Sequence, residues 1–258
     1  MSHFKKISTA AVIILIAVFV YRASDKNGSV VDLPIQDPIF ETPIPDQVEE
    51  KNSDVASPEA SNAQTEKNLP SQYLLNVSFL AQAPFAIWDP LHEDACEEAS
   101  LVMLKHFLDK DESISPMAGD VEIRKLIRYE EQNGYGLSIT MEQLARIAKD
   151  FYKMEKPRVE KNITVQDIKK ELAAGRPVIV PAAGKILPNP NFRNGGPNYH
   201  MLVVVGYDQA GFITNDPGTR KGEGFRYTFE DLYYAIHDWD EANILNGQKA
   251  YLVFDDPA

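Results

Sequence analysis

The run Tyr199-His200-Met201-Leu202-Val203-Val204-Val205-Gly206-Tyr207 constrains this chain most. It is apolar for most of its length, with three β-branched valines in a row, a Gly- and Pro-containing loop before it and Asp208 to Gly211 after it. No other stretch has a stronger strand signal. Shorter strands are expected at Pro177–Pro181, Gly211–Asn215, Gly224–Thr228 and Ala250–Phe254, with a short helix at Phe229–His237. Upstream the period changes. Helical density runs from Ala99 through Leu108, then from Gly119 or Asp120 to Gln132 within the segment that opens at Ser115. A third helix opens at Thr140, with Gln143 three residues on, and a fourth at Thr164, with Asp167 three on; Gly175 stops the fourth. Tyr73–Leu80, with Leu75, Val77 and Phe79 alternating, and Arg158–Asn162 are further strand candidates. Helices first and antiparallel strands after is an α+β layout.

The amino end is of a different kind. Lys5 and Lys6 precede an apolar segment, Ile7 to Tyr21, which Arg22 closes. That is the pattern of an export signal, short for a membrane span of about 20 residues. The cleavage site is poor, so residues 1–22 are expected to be an uncleaved anchor. It would leave Lys5 and Lys6 in the cytoplasm and the rest outside; a cleaved signal would make the product secreted. Residues 23–71 hold Pro34, Pro38, Pro43, Pro45, Pro58 and Pro70 in an acidic, polar setting. Such a linker cannot bury enough apolar area to offset its ordering entropy, and is expected to be disordered and dispensable for folding. Residues 72–258 are the expected folded domain.

The net charge of −12 argues against nucleic acid and against peripheral binding to anionic lipid. One cysteine excludes an internal disulfide. No cofactor is expected. His92, Glu93, Asp94 and Cys96 lack the second Cys/His pair of a metal site, and Asp238, Asp240 and Glu241 read as a solvated face. A monomer is expected.

The lone cysteine is placed to react. Asp94 and Glu97 fit a capping box, which puts Cys96 in a helix's first turn. There the macrodipole and the unpaired N–H groups favour a thiolate. Glu97 and Glu98 oppose it, and Glu97 is expected to turn away as the capping partner. A base is needed. His3 precedes the apolar segment, His92 lies in a loop before the cap, His106 falls near the far end of the cysteine's own helix, and His237 lies among acids. His200 opens the central strand beside a Gly-rich loop, where sites are usually built. Asp216 follows sixteen residues later, at the end of the next strand, and an antiparallel return would bring it beside His200. A carboxylate there would orient the imidazole, with Asn215 as the alternative. Gln82 and the backbone N–H of Cys96 are candidate oxyanion donors. Trp88, Phe192 and Tyr199 are candidates to line a groove, and the Lys185–Pro197 loop is a candidate lid.

Gln82, the run Cys96-Glu97-Glu98-Ala99-Ser100-Leu101-Val102-Met103, then His200-Met201-Leu202-Val203-Val204-Val205-Gly206-Tyr207 and Asp216-Pro217 resemble the bacteriocin-processing (double-glycine leader) peptidases. The resemblance is closer to the "like" family of exported bacterial proteins beside them, and covers about Leu75 to Phe254. It implies a papain-like cysteine peptidase fold, a triad of Cys96, His200 and Asp216, Gln82 at the oxyanion hole, and a peptide or protein substrate. Glu97 stands where papain-like enzymes often have Gly, and Gln82 lies farther upstream of the cysteine than in papain. No transporter segments follow, so a leader-cleaving domain of an export machine is not expected. The alternatives from other classes are a silent papain-like domain that binds a peptide or polymer, and an acyltransferase or amidase using the same triad.

Overall fold

The computed structural model describes residues 69–255. The expected anchor and nearly all of the expected linker lie outside them. Among the described residues no helix is long and apolar enough to cross a membrane.

The elements in chain order are β1 (Tyr73–Leu74), α1 (Pro90–Glu93), α2 (Cys96–Leu108), α3 (Pro116–Gln132), α4 (Met141–Tyr152), β2 (Pro157–Lys161), α5 (Val165–Ala173), β3 (Val178–Ala183), β4 (Tyr199–Tyr207), β5 (Phe212–Asn215), β6 (Phe225–Tyr227), α6 (Phe229–Ala235) and β7 (Ala250–Phe254). The strands form one antiparallel sheet in the order β2-β7-β3-β4-β5-β6, with β1 added against β4. The fold is α+β, as its period change implies.

Every residue of β4 is buried, because both faces of the sheet are covered. Met201, Val203 and Val205 join a core with Val102 of α2, Leu126 of α3 and Leu144 of α4. Leu202 and Val204 point the other way, into a core with Ile168 of α5 and Leu232 of α6. The period-2 alternation of β4 thus feeds two apolar layers.

The helix starts follow local chemistry. Thr140 and Thr164 close capping boxes with Gln143 and Asp167. α3 begins earlier than expected, because Ser115 accepts from the Ala118 N–H and Pro116 occupies the first turn, where its missing N–H costs nothing. The Asp94–Glu97 box does not form. Asp94 ends the short α1, Ala95 caps α2, and no side chain bonds to that cap.

The expected Tyr73–Leu80 strand shrinks to two residues. β3 occupies the edge of β4 from Tyr199 to Val204, so only Gly206 and Tyr207 remain for β1 to pair with. Gly206 is what admits it: a Cβ there would collide with the Tyr73 carbonyl.

Candidate active site

Register places the cysteine. Pro181 faces Met201 across the β3–β4 ladder, and having no N–H it cannot bond there; its carbonyl accepts from His237 instead. Met201 therefore turns its N–H to the other edge of β4. On that edge β5 begins pairing only at Val203 opposite Asn215, so Met201 lies past the ladder's end. The Cys96 sulfur fills the gap and accepts from the Met201 N–H. The first residue of α2 thus rests beside the strand residue that follows His200.

His200, the residue before Met201 on β4, is fully buried. Its Nε2 meets Asp216 Oδ1 at 2.8 Å, and its Nδ1 has no partner. Phe192 stands edge-on to the imidazole, with centroids 5.3 Å apart. Asp216 is also fully buried, and donors surround it. Gly218 N–H reaches Oδ1 at 3.0 Å, while the Tyr227 hydroxyl and the Asn189 amide reach Oδ2 at 2.6 and 3.2 Å. Burial alone would raise this carboxyl; the His200 charge and these bonds outweigh it and hold Asp216 below its ordinary value. Asn215 is committed elsewhere, donating to Val77 O at 2.8 Å and accepting from Gly224 N–H at 3.2 Å. Of the two neighbours, Asp216 is the one that faces the ring.

Glu97 lies where it was not expected. Its Oε2 accepts from the Cys96 thiol at 2.9 Å. Burial pushes the thiol well up, and Glu97 pushes it further. Glu97 is itself raised to about 8, by burial first and then by Glu98. At neutral pH it therefore holds a proton. Placed so, the resting thiol is protonated and turned to Glu97 rather than to the imidazole.

Gln82 is engaged as well. Its amide nitrogen donates to the carbonyls of His92 at 2.8 Å and Glu93 at 3.0 Å, which uses both of its hydrogens, and its own oxygen is buried without a partner. In this arrangement the side chain anchors α1 and has no hydrogen left for an oxyanion. The N–H groups of the first turn of α2, that of Cys96 among them, have no side-chain cap.

A cleft of about 330 Å³ runs beside these groups, lined by Gln82, Trp88, Phe192, Asn198 and Gly218 among others. The 184–198 loop borders it, and there Arg193 reaches Glu93 at 3.3 Å and lies over Trp88 at 5.3 Å. Tyr199 does not line the groove: it is buried and donates to Ile139 O at 2.8 Å. Asp238 is not solvated either; it accepts from the N–H groups of Met141 and Trp239. The other described histidines are held elsewhere. His92 lies between Asp89 and Asp120, His106 between Asp111 and Glu122, and His237 against Gly247 O. His3 lies outside the described residues.

Asn189, Tyr227 and Gly218 around Asp216 are not among the residues that the sequence motifs single out. They come from a loop, a strand and a turn that only the tertiary fold brings together. Gly218 is the readable one, since Pro217-Gly218 marks a turn. A Cβ there would approach His200 Cε1 and Phe192 Cε1, each at 2.9 Å.

No curated protein matches this chain. A solved structure from Bacillus anthracis, a candidate C39-like peptidase, is similar at 18% identity, with a TM-score of 0.49 over 72% of this chain and 98% of that one. Residues 74–243 match the sequence model of the Peptidase C39 like family, a span that contains Gln82, Cys96, His200 and Asp216. The chain belongs to the Peptidase C39 like family.

Proposed function

We propose that the chain is a cysteine peptidase with Cys96 as nucleophile, His200 as base and Asp216 as the orienting carboxylate. The observation that carries the reading is the buried His200. Its Nε2 is fixed by Asp216 while its Nδ1 is left open, and the next residue's N–H holds the Cys96 sulfur. Asp216 selects the tautomer that leaves Nδ1 free to take a proton. Rotation of the thiol from Glu97 towards that nitrogen transfers its proton to the ring. The thiolate attacks the scissile carbonyl carbon, and the oxyanion draws on the first-turn N–H groups of α2. The imidazolium then protonates the leaving amine. Water, deprotonated by the same ring, hydrolyses the thioester. Gln82 joins as an oxyanion donor only by exchanging a bond to His92 or Glu93. The substrate would be a peptide or protein, and residues 1–22 would anchor the domain outside the cytoplasm.

Glu97 favours a second reading, a silent domain that binds peptide in the same cleft, because it holds the thiol protonated. Peptide digests analysed by mass spectrometry, with a Cys96→Ala control, test the first reading. Cleavage that vanishes in the control supports it. An intact peptide pool, together with iodoacetamide labelling no faster than that of a free thiol, supports the second.

A further inference from the structure

A second cavity opens on the other side of the first turn of α2. It measures about 460 Å³ and has apolar walls from Leu91, Ile127, Tyr135 and Leu137, with Glu98 and Glu130 also lining it. Those two glutamates are 5% and 7% exposed. Their carboxyls hydrogen-bond to each other, which leaves Glu98 Oε2 and Glu130 Oε1 buried without partners. Two carboxyls in contact cannot both ionise, so at least one proton stays in the pair. The neighbouring groups that bear on it are Asp94 and Glu97, both acids, and Glu97 is neutral below about pH 8.

This is a costly arrangement for structure alone, because orphaned buried oxygens are destabilising. The partnerless oxygens suit a hydrogen-bond-donating cation. Among the described residues no group of three His, Cys, Asp or Glu side chains is disposed to hold a metal ion. The walls point instead to an organic cation on an apolar stem. The location points to its source: Asp94 lines both this cavity and the cleft, so the two adjoin at that residue.

We propose that this cavity takes the side chain of a lysine or arginine from the polypeptide in the cleft. The methylenes pack on the apolar walls, and the ammonium or guanidinium bonds to the free oxygens of Glu98 and Glu130. The shared proton leaves to solvent as the cation arrives. The assignment rests on the reading that the cleft binds polypeptide, but not on catalysis.

The test uses the full chain carrying Cys96→Ala, so that nothing is cleaved. Binding of acetylated heptapeptide amides is measured by calorimetry, with one arginine walked through an alanine background and norleucine as the neutral match. At one position arginine binds at least about tenfold tighter than norleucine, a difference of about 1.4 kcal/mol. Glu98→Gln with Glu130→Gln removes that difference and leaves the norleucine affinity unchanged. Leu137→Arg, at a side chain 79% exposed, sets a like charge at the mouth and weakens arginine binding without disturbing the core. Equal affinities at every position, no binding of any peptide, or a preference that survives both variants overturns the proposal. Cleavage by the unsubstituted chain is read separately, so either result can stand without the other.

Discussion

The Glu97 carboxyl, 2.9 Å from the Cys96 sulfur, is placed to govern how readily the thiol ionises. Below about pH 8 it is neutral, and it opposes the thiolate only as a hydrogen-bond acceptor for the S–H. Above that pH it ionises and adds charge repulsion, where a free thiol would become more reactive. Alkylation of Cys96 by iodoacetamide is therefore expected to lag behind a simple titration curve on the alkaline side. Glu97→Gln should lower the thiol pKa and remove the lag; an unchanged rate profile from pH 6 to 10 would show that the carboxyl does not govern the sulfur. The orienting residue gives a second prediction. Asp216→Asn exchanges the acceptor of the His200 Nε2–H for an amide that can present its own donors, which favours the wrong tautomer. A loss of peptidase rate of about a thousandfold or more is expected, by analogy with other triad carboxylates. Asn215→Ala should cost stability through its lost bonds to Val77 and Gly224 while retaining most of kcat in the folded fraction. The reverse pattern would make Asn215 the orienter.

At the scale of elements, the site depends on where strands end. β5 stops pairing at Val203, and the gap it leaves receives the sulfur; just beyond, Asp216 turns back to the ring. The turn that follows is tight enough that Gly218→Ala should displace His200 or Phe192. Overpacking of this kind typically costs about 1–3 kcal/mol, visible as a lower Tm. Peptidase activity should fall more than the loss of folded protein explains. Full activity with an unchanged Tm would show that the turn has slack. The sequence made the elements themselves legible, because β4, α4 and α5 carry strong local signals: β-branched runs and two capping boxes. A short antiparallel return also brought Asp216 and Asn215 back towards His200, without deciding between the two. What it did not reveal was set by packing. The length of β1 is fixed by how far β3 extends along β4. The start of α2 has no side-chain cap, although Asp94 and Glu97 stand at the right spacing. Glu97, buried with the thiol, bonds to it instead of to the cap, and two partners of Asp216 lie 27 and 11 residues away in sequence.

At the scale of the whole molecule, the buried acids set how stability responds to pH. Glu97, Glu98 and Glu130 meet around the first turn of α2, and all three are raised, by burial first and then by one another's charge. An acid that is raised in the fold holds its proton there after the unfolded chain has released it. Its contribution is fully present below the unfolded value, near 4.5, and is lost as the pH rises through the folded value, about 8 for Glu97. Asp216 works in the opposite sense: its lowered pKa contributes above the ordinary 3.8 and is lost as the pH falls through its folded value. The two tendencies together put the stability maximum on the acid side of neutral, near the unfolded glutamate value. Each retained proton tilts stability by about 1.4 kcal/mol per pH unit. Tm measured by calorimetry is thus expected to fall steadily from about pH 5 to about pH 8. Glu97→Gln should flatten the upper part of that slope, because a neutral amide has no proton to lose. Glu98→Gln with Glu130→Gln should flatten much of the rest. A flat Tm across this range in the parent, or a slope that survives all three substitutions, would mean that the acids at the helix start are hydrated and ionised in the folded protein.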